Sequence, residues 1–150
     1  MRKNKMFCFT YAGGSASFYN QLEDYVKDEI EVIKMEYAGH GIRHKESFYG
    51  NFTELAEDMY SIMKAHCDQS TEYALMGYSM GTIAVVEILK QLIRIKEIPL
   101  PKHIFLAAHE PEARNELKHF STTEEDEIIK KRTIQFGGIP ESLVSSKSFW

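Results

Sequence analysis

Residues 73–89 read YALMGYSMGTIAVVEIL, and the stretch changes character at its middle. Tyr73 to Tyr78 is a short β-favouring apolar run. From Thr82 to about Lys96, Ile83, Ala84, Val86, Ile88, Leu89, Leu92 and Ile93 are spaced as on a helix that is apolar over a wide arc, and such a helix is largely buried. Ser79 stands at the join, with Gly77 two residues before it and Gly81 two after. One reading of that serine is a helix N-cap, the commonest use of serine between strand and helix. The glycines on either side call for a second reading, which depends on what else reaches the same end of the sheet.

Outward from this stretch the pattern alternates. Residues 6–11, MFCFTY, read as a buried strand, followed by the glycine-rich AGGSAS and a helix carrying Phe18, Leu22, Tyr25 and Val26. A second strand, EVIKMEY, ends at Tyr37 and runs into AGHGIR. Residues 51–67 place Phe52, Leu55, Ala56, Met59, Ile62, Met63 and His66 along one helical face, with Asn51 and Glu54 spaced as a capping box. Pro99 and Pro101 break the chain before a fourth strand at 103–108, HIFLAA. Beyond it, STTEEDEIIKKRTIQFGG reads as a charged, capped helix closed by Gly137. The acidic run from Glu124 to Glu127 reads as the first turn of that helix, where the helix dipole favours negative charge. Strands alternating with helices predict parallel pairing through right-handed crossovers, hence a mostly parallel α/β sheet with helices on both faces.

Composition bounds what such a domain does. At 150 residues and 43% apolar content the chain suits one domain with a single core. Its net charge of −4, from 18 basic and 22 acidic residues, gives no electrostatic footprint for nucleic acid. Cys8 and Cys67 lie far apart and read as buried thiols of a reducing compartment rather than a disulfide framework. The opening MRKNKMFCFTYAGG is a poor secretory signal because its aromatic residues alternate as in a strand, and no stretch approaches a transmembrane length. The expectation is a cytoplasmic protein with no membrane association.

Sites in parallel sheets lie at the carboxyl ends of the strands. Three loops follow predicted strands and share that rim: AGGSAS, AGHGIR and GYSMGT. In a nucleophile elbow the serine occupies a strained bend and exposes its hydroxyl above the sheet, and the positions two before and two after are small because strand and helix nearly touch. Gly77 and Gly81 meet that demand. The helix beginning after Ser79 aims free N–H groups and a partial positive charge at the place where an oxyanion forms. Gly13 and Gly14 serve an ordinary tight turn or, in this context, the loop that supplies a second oxyanion N–H.

With these blocks in order, FCFTYAGGSASFY, YAGHGIR, MGYSMGTIAVVEIL and HIFLAAHEPEAR, the chain resembles the type II thioesterases of non-ribosomal peptide and polyketide synthesis, such as those of the surfactin and gramicidin clusters. The resemblance covers essentially the whole chain. It implies an α/β-hydrolase core over residues 1–112 and a lid-like helical segment over 113–150, where FGGIPESLVSS resembles the family's lid. It further implies Ser79 as nucleophile, with oxyanion donors from Met80 and from Tyr11 or Ala12. The substrate implied is an acyl or aminoacyl group on the phosphopantetheine of an acyl or peptidyl carrier protein, with no metal or dissociable cofactor. The reaction is hydrolysis that frees stalled or misprimed synthases.

The sequence departs from the family pattern at Tyr78, commonly His, and at Thr10, usually Pro. It also reaches Trp150 before strands that would carry a catalytic Asp and His in the order Ser, acid, His. His109 after the fourth strand and His40 after the second are the substitute bases on the rim, each also readable as a solvated loop residue. His44, His66, His103 and His119 have no metal-site spacing, and Phe18, Tyr19, Phe48 and Tyr49 read as core or rim packing. Two alternatives stand beside the thioesterase: a non-catalytic, truncated module that binds carrier proteins, and a general serine carboxylesterase. A sheet ending at the fourth strand predicts an open apolar edge and self-association into a homo-oligomer.

Overall fold

A computed structural model describes residues 3–108. His109 and the segment 113–150 lie outside the described residues. Four strands, β1 (Asn4–Phe9), β2 (Ile30–Met35), β3 (Tyr73–Tyr78) and β4 (His103–Ala107), form one sheet in the order β2-β1-β3-β4. Every pairing is parallel, with Phe9 opposite both Met35 and Gly77, and Tyr78 opposite Ala107. Among the described residues three α-helices accompany them: α1 (Asn20–Val26), α2 (Phe52–His66) and α3 (Met80–Ile95). The predicted α/β-hydrolase type of sheet is therefore the observed one.

The two-residue period of the strands sorts the core. Phe7, Phe9, Met35, Tyr73 and Leu75 pack with Leu55, Ala56, Met59 and Met63 of α2 and with Ala84, Val85, Ile88 and Leu92 of α3. The alternate residues Met6, Cys8 and Val32 turn to the opposite face, where Tyr19, Leu22 and Val26 cover them. Strand β1 is thus apolar on both sides, and Phe7, Cys8 and Phe9 are fully buried, as the middle of a doubly covered parallel sheet demands. β4 pairs with β3 alone among the described residues, and its Ile104, Phe105 and Leu106 are exposed.

Local details differ from expectation in several places; β2, for one, ends at Met35 rather than at Tyr37. β1 runs over 4–9, not 6–11, because Thr10 and Tyr11 leave the sheet into a turn closed by the Gly14 N–H donating to the Tyr11 carbonyl at 3.1 Å, with Gly13 at φ +75°. α3 starts at Met80, two residues earlier than predicted. The capping box at α2 is half formed. Asn51 Oδ1 accepts the Glu54 N–H at 2.9 Å, but the Glu54 carboxylate takes the N–H of Gly50 at 2.7 Å rather than that of Asn51.

Candidate active site at the carboxyl rim

The join between β3 and α3 is a strained bend. Ser79 has φ 54° and ψ −118°, a conformation that costs a non-glycine residue on the order of 1–3 kcal/mol. Its side chain makes no capping bond to α3, so the N-cap reading fails. The backbone is held from both sides instead. Its N–H donates to the Ala107 carbonyl at 2.8 Å, and its carbonyl accepts from the Thr82 N–H at 2.9 Å and the Thr82 hydroxyl at 2.7 Å. Ser79 and Met80 are half-buried at the mouth of the bend.

The flanking glycines are sterically obligatory. A β-carbon on Gly77 would lie 2.5 Å from the Gly81 carbonyl oxygen and 2.8 Å from the Thr82 nitrogen. One on Gly81 would overlap the Phe9 carbonyl oxygen and sit 3.0 Å from that of Thr10. The glycine pair therefore sets the strand-to-helix approach and brings the start of α3 against the end of β1. The loop carrying Tyr11, Ala12 and Gly13 leaves from that same point, with all three residues exposed and Gly14 buried.

Two tyrosines pin the end of β1. Tyr19 donates its hydroxyl to the Phe9 carbonyl at 2.7 Å, and Tyr37 donates to the Thr10 carbonyl at 3.0 Å. Burial raises both phenols well above the ordinary value, so each remains a donor. On the outer side Tyr78, Phe18 and Tyr11 stack edge-on or tilted, with Phe18 and Tyr78 ring centres 5.1 Å apart. Phe18 and Tyr11 are nevertheless exposed and line the rim, whereas Tyr78 is half-buried against the Met6–Cys8 side of the core.

The second rim loop follows β2. Its anchor is Glu36, 8% exposed, which sequence reasoning passed over. One carboxylate oxygen accepts the Ala16 N–H at 2.9 Å, the other the Ile42 N–H at 3.4 Å, so a single side chain ties the loop after β1 to the loop after β2. Gly41, at φ +45°, permits this approach: a β-carbon there would lie 2.5 Å from the Glu36 carboxyl carbon. Arg43 closes the loop from beneath, donating to Asp58 Oδ2 at 2.7 Å, to the Glu36 carbonyl at 3.0 Å and to Glu46. The Tyr49 hydroxyl donates to the same Asp58 oxygen at 2.5 Å and accepts the Ala38 N–H at 3.0 Å. Burial, the Asp58 bond and the Asp58 charge push the Tyr49 phenol up to about 12, against smaller opposing effects of the Ala38 N–H and Arg43.

This loop presents His40. The ring packs edge-on against Tyr37 and Phe48, and Nδ1 lies 3.0 Å from the Ala38 carbonyl. A carbonyl only accepts, so Nδ1 carries the proton in that bond and the neutral ring keeps Nε2 as its basic nitrogen. A cavity of about 290 Å³ opens between Tyr37, His40, Phe48, Phe52, Leu55 and Met80. It joins the β2 loop to the first residue of α3. A larger one, about 370 Å³, lies at the amino ends of the strands around Met6, Ala74 and Phe105, away from the bend; its Lys5 and Lys102 are paired with Glu31 and Glu72. Position relative to the strained serine, not size, makes the smaller cavity the candidate site.

The chain as a whole is similar to known proteins. The family model for the thioesterase domain matches residues 4–150. The chain belongs to the thioesterase family. Among its relatives, the medium-chain S-acyl fatty acid synthase thioesterase of Rattus norvegicus is 25% identical over 147 residues, 95% of this chain and 54% of that protein. The gramicidin S biosynthesis protein GrsT of Aneurinibacillus migulanus is 26% identical over 143 residues, again 95% of this chain and 54% of that protein. The thioesterase RedJ from the prodiginine pathway of Streptomyces coelicolor superposes with a TM-score of 0.74 at 24% identity, over 97% of this chain and 56% of that one. The resemblance to type II thioesterases drawn from the sequence blocks is thus borne out, and the chain spans about half the length of the curated relatives it matches.

Of the residues singled out in the sequence, Ser79, Met80, Gly77 and Gly81 form the bend, and Tyr11, Ala12, Gly13 and Gly14 form the loop beside it. His40 shares its cavity with Met80, whereas His109 is outside the described residues. His44 and His103 are exposed, and neither lines the cavity that His40 shares with Met80. Cys8 is buried inside β1 and cannot serve as a nucleophile. Among the described residues no group of three His, Cys, Asp or Glu side chains is placed to hold a metal ion, and no helix is long and apolar enough to cross a membrane.

Proposed function

We propose that Ser79 is the nucleophile of a thioesterase acting on acyl or aminoacyl thioesters carried by the phosphopantetheine of an acyl or peptidyl carrier protein, in the reducing cytoplasm. The single observation that carries the reading is the backbone of Ser79: a strained bend, flanked by glycines that admit no β-carbon, whose side chain is released from capping. Such strain persists where the surroundings impose it, and it aims the oxygen outward over the sheet.

In the proposed reaction Ser79 Oγ attacks the thioester carbonyl and gives its proton to a base. The carbonyl oxygen, now negative, is held by the Met80 N–H at the start of α3 and by the N–H of Tyr11 or Ala12. The C–S bond breaks, the pantetheine thiol leaves with a proton, and water then cleaves the acyl-serine ester to a free acid. Protein groups and water suffice for these steps. His40, with Nε2 free to accept a proton, is the rim histidine among the described residues and the base to test first.

The test follows free thiol released from an aminoacyl carrier protein by the wild-type chain, Ser79→Ala and His40→Gln, with a simple oxoester in parallel. Release abolished by Ser79→Ala supports the nucleophile, and equal traces for the two proteins reject it. Undiminished release by His40→Gln places the base elsewhere. Faster cleavage of the oxoester than of the thioester favours a carboxylesterase, and carrier binding without release favours a binding module. Light scattering tests self-association along β4, which a monodisperse monomer excludes.

A further inference from the structure

We infer that Tyr37 is a positioning residue for the oxyanion site, its hydroxyl fixing the plane of the Thr10–Tyr11 peptide and with it the direction of the Tyr11 N–H. The inference rests on the proposed function, since it assigns a role at that same site.

A trans peptide is a rigid plane in which the carbonyl of one residue and the N–H of the next point in opposite directions. Whatever holds the Thr10 oxygen therefore aims the Tyr11 hydrogen. The Thr10 oxygen accepts the Tyr37 hydroxyl at 3.0 Å and is wedged close to Gly81, within 3.0 Å of where a β-carbon there would stand. Tyr37 is itself immobilised: it is 1% exposed, at the end of the segment after β2, between the His40 ring and the core. Thr10 lies outside the β1–β2 and β1–β3 ladders, so strand pairing does not set this plane.

The neighbouring planes are held by other means. The Phe9–Thr10 plane is pinned by the Tyr19 hydroxyl at 2.7 Å, but the N–H it carries belongs to Thr10 and is not a candidate donor. The Tyr11–Ala12 plane is held by the Gly14 N–H, which donates to the Tyr11 carbonyl. The two tyrosines thus make equivalent buried bonds to successive carbonyls, and only one of the two governs a candidate oxyanion donor. That pairing supplies an internal control.

The experiment compares Tyr37→Phe with Tyr19→Phe in the full chain, each keeping its ring and losing one hydroxyl. Deleting an oxyanion donor costs about 10²- to 10³-fold in kcat, so a donor that is misaimed rather than deleted should cost roughly 10- to 100-fold. Tyr37→Phe is expected to lose that much kcat toward an acyl thioester with KM within about twofold, while Tyr19→Phe stays within about threefold of wild type. Equal losses, or no loss in either, overturn the inference. A second readout needs no turnover: the Tyr11 amide resonance in ¹H–¹⁵N spectra and its exchange with solvent. Tyr37→Phe should move it and Tyr19→Phe should not, and an unmoved Tyr11 amide in Tyr37→Phe also overturns the inference. A moved amide with turnover that does not depend on Ser79 sinks the proposed function while the pinning of the peptide stands.

Discussion

Gly81 lies against the Phe9 carbonyl so closely that a β-carbon would stand 2.7 Å from the carbonyl carbon and overlap its oxygen. Because the obstacle is backbone of the central strand, nothing nearby can rotate away. Gly81→Ala and Gly77→Ala should each destabilise the domain by about 3 kcal/mol, read as a lowered urea midpoint. Gly13→Ala separates crowding from backbone strain: it meets nothing within 4 Å and retains only the penalty of φ +75°, so it should cost about 1 kcal/mol.

Thr10 is fully buried and its hydroxyl has no hydrogen-bond partner among the described residues. Replacing it by the isosteric valine removes a desolvated polar atom while keeping the volume. Thr10→Val should raise stability by about 1 kcal/mol, visible as a higher Tm, and a lower Tm would show that the hydroxyl is satisfied in solution.

Burial in the sheet pushes the Cys8 thiol up to about 12, from 9.0 for a free group. The folded state then keeps its proton at a pH where the unfolded chain has lost it. This contribution is complete below pH 9.0 and declines as pH rises toward 12, because ionisation favours the unfolded chain throughout that window. Cys8→Ala should flatten the alkaline loss of stability, measured by urea unfolding at about pH 8 and about pH 10.5. In the native wild type at about pH 8, iodoacetamide should leave Cys8 unmodified.

Asp58 titrates in the opposite sense. Burial alone would raise its carboxyl, but the bonds from Arg43 and Tyr49 and the Arg43 charge outweigh it and hold the group below its usual 3.8. Its contribution is present above that value and is lost as pH falls through the lower, folded-state value. Asp58→Asn should cost about 2 kcal/mol at neutral pH and make the acid limb of the stability profile shallower. Since Arg43 also holds the Glu36 carbonyl, the same variant should loosen the loop that presents His40, read as faster amide exchange over residues 38–43.

Where each residue's environment is set by near neighbours, the sequence was legible. The run from Tyr73 to Tyr78 was read to the residue, and the glycine spacing around Ser79 identified the bend, because strand, turn and buried helix each leave a local pattern. β1 ends two residues before its pattern predicts, for a physical reason: Thr10 and Tyr11 are as β-favouring as what precedes them, and only the Tyr11–Gly14 turn removes them from the ladder. The Glu36 bridge to Ala16 and Ile42 and the Arg43–Asp58 pair left no trace. They join residues 6 to 20 positions apart through loop shapes that no periodicity encodes, and Glu36 reads in sequence as one more polar residue in a strand.

The amide of Ser79 is bonded not within its own helix but to Ala107, the last residue of the neighbouring strand. The bend therefore acts as the terminal tooth of a zipper: if β4 peels back by one rung, residue 79 loses one of its two backbone anchors and is left with the bonds from Thr82. The geometry of the bend is in this way indexed to how firmly β4 is seated against β3.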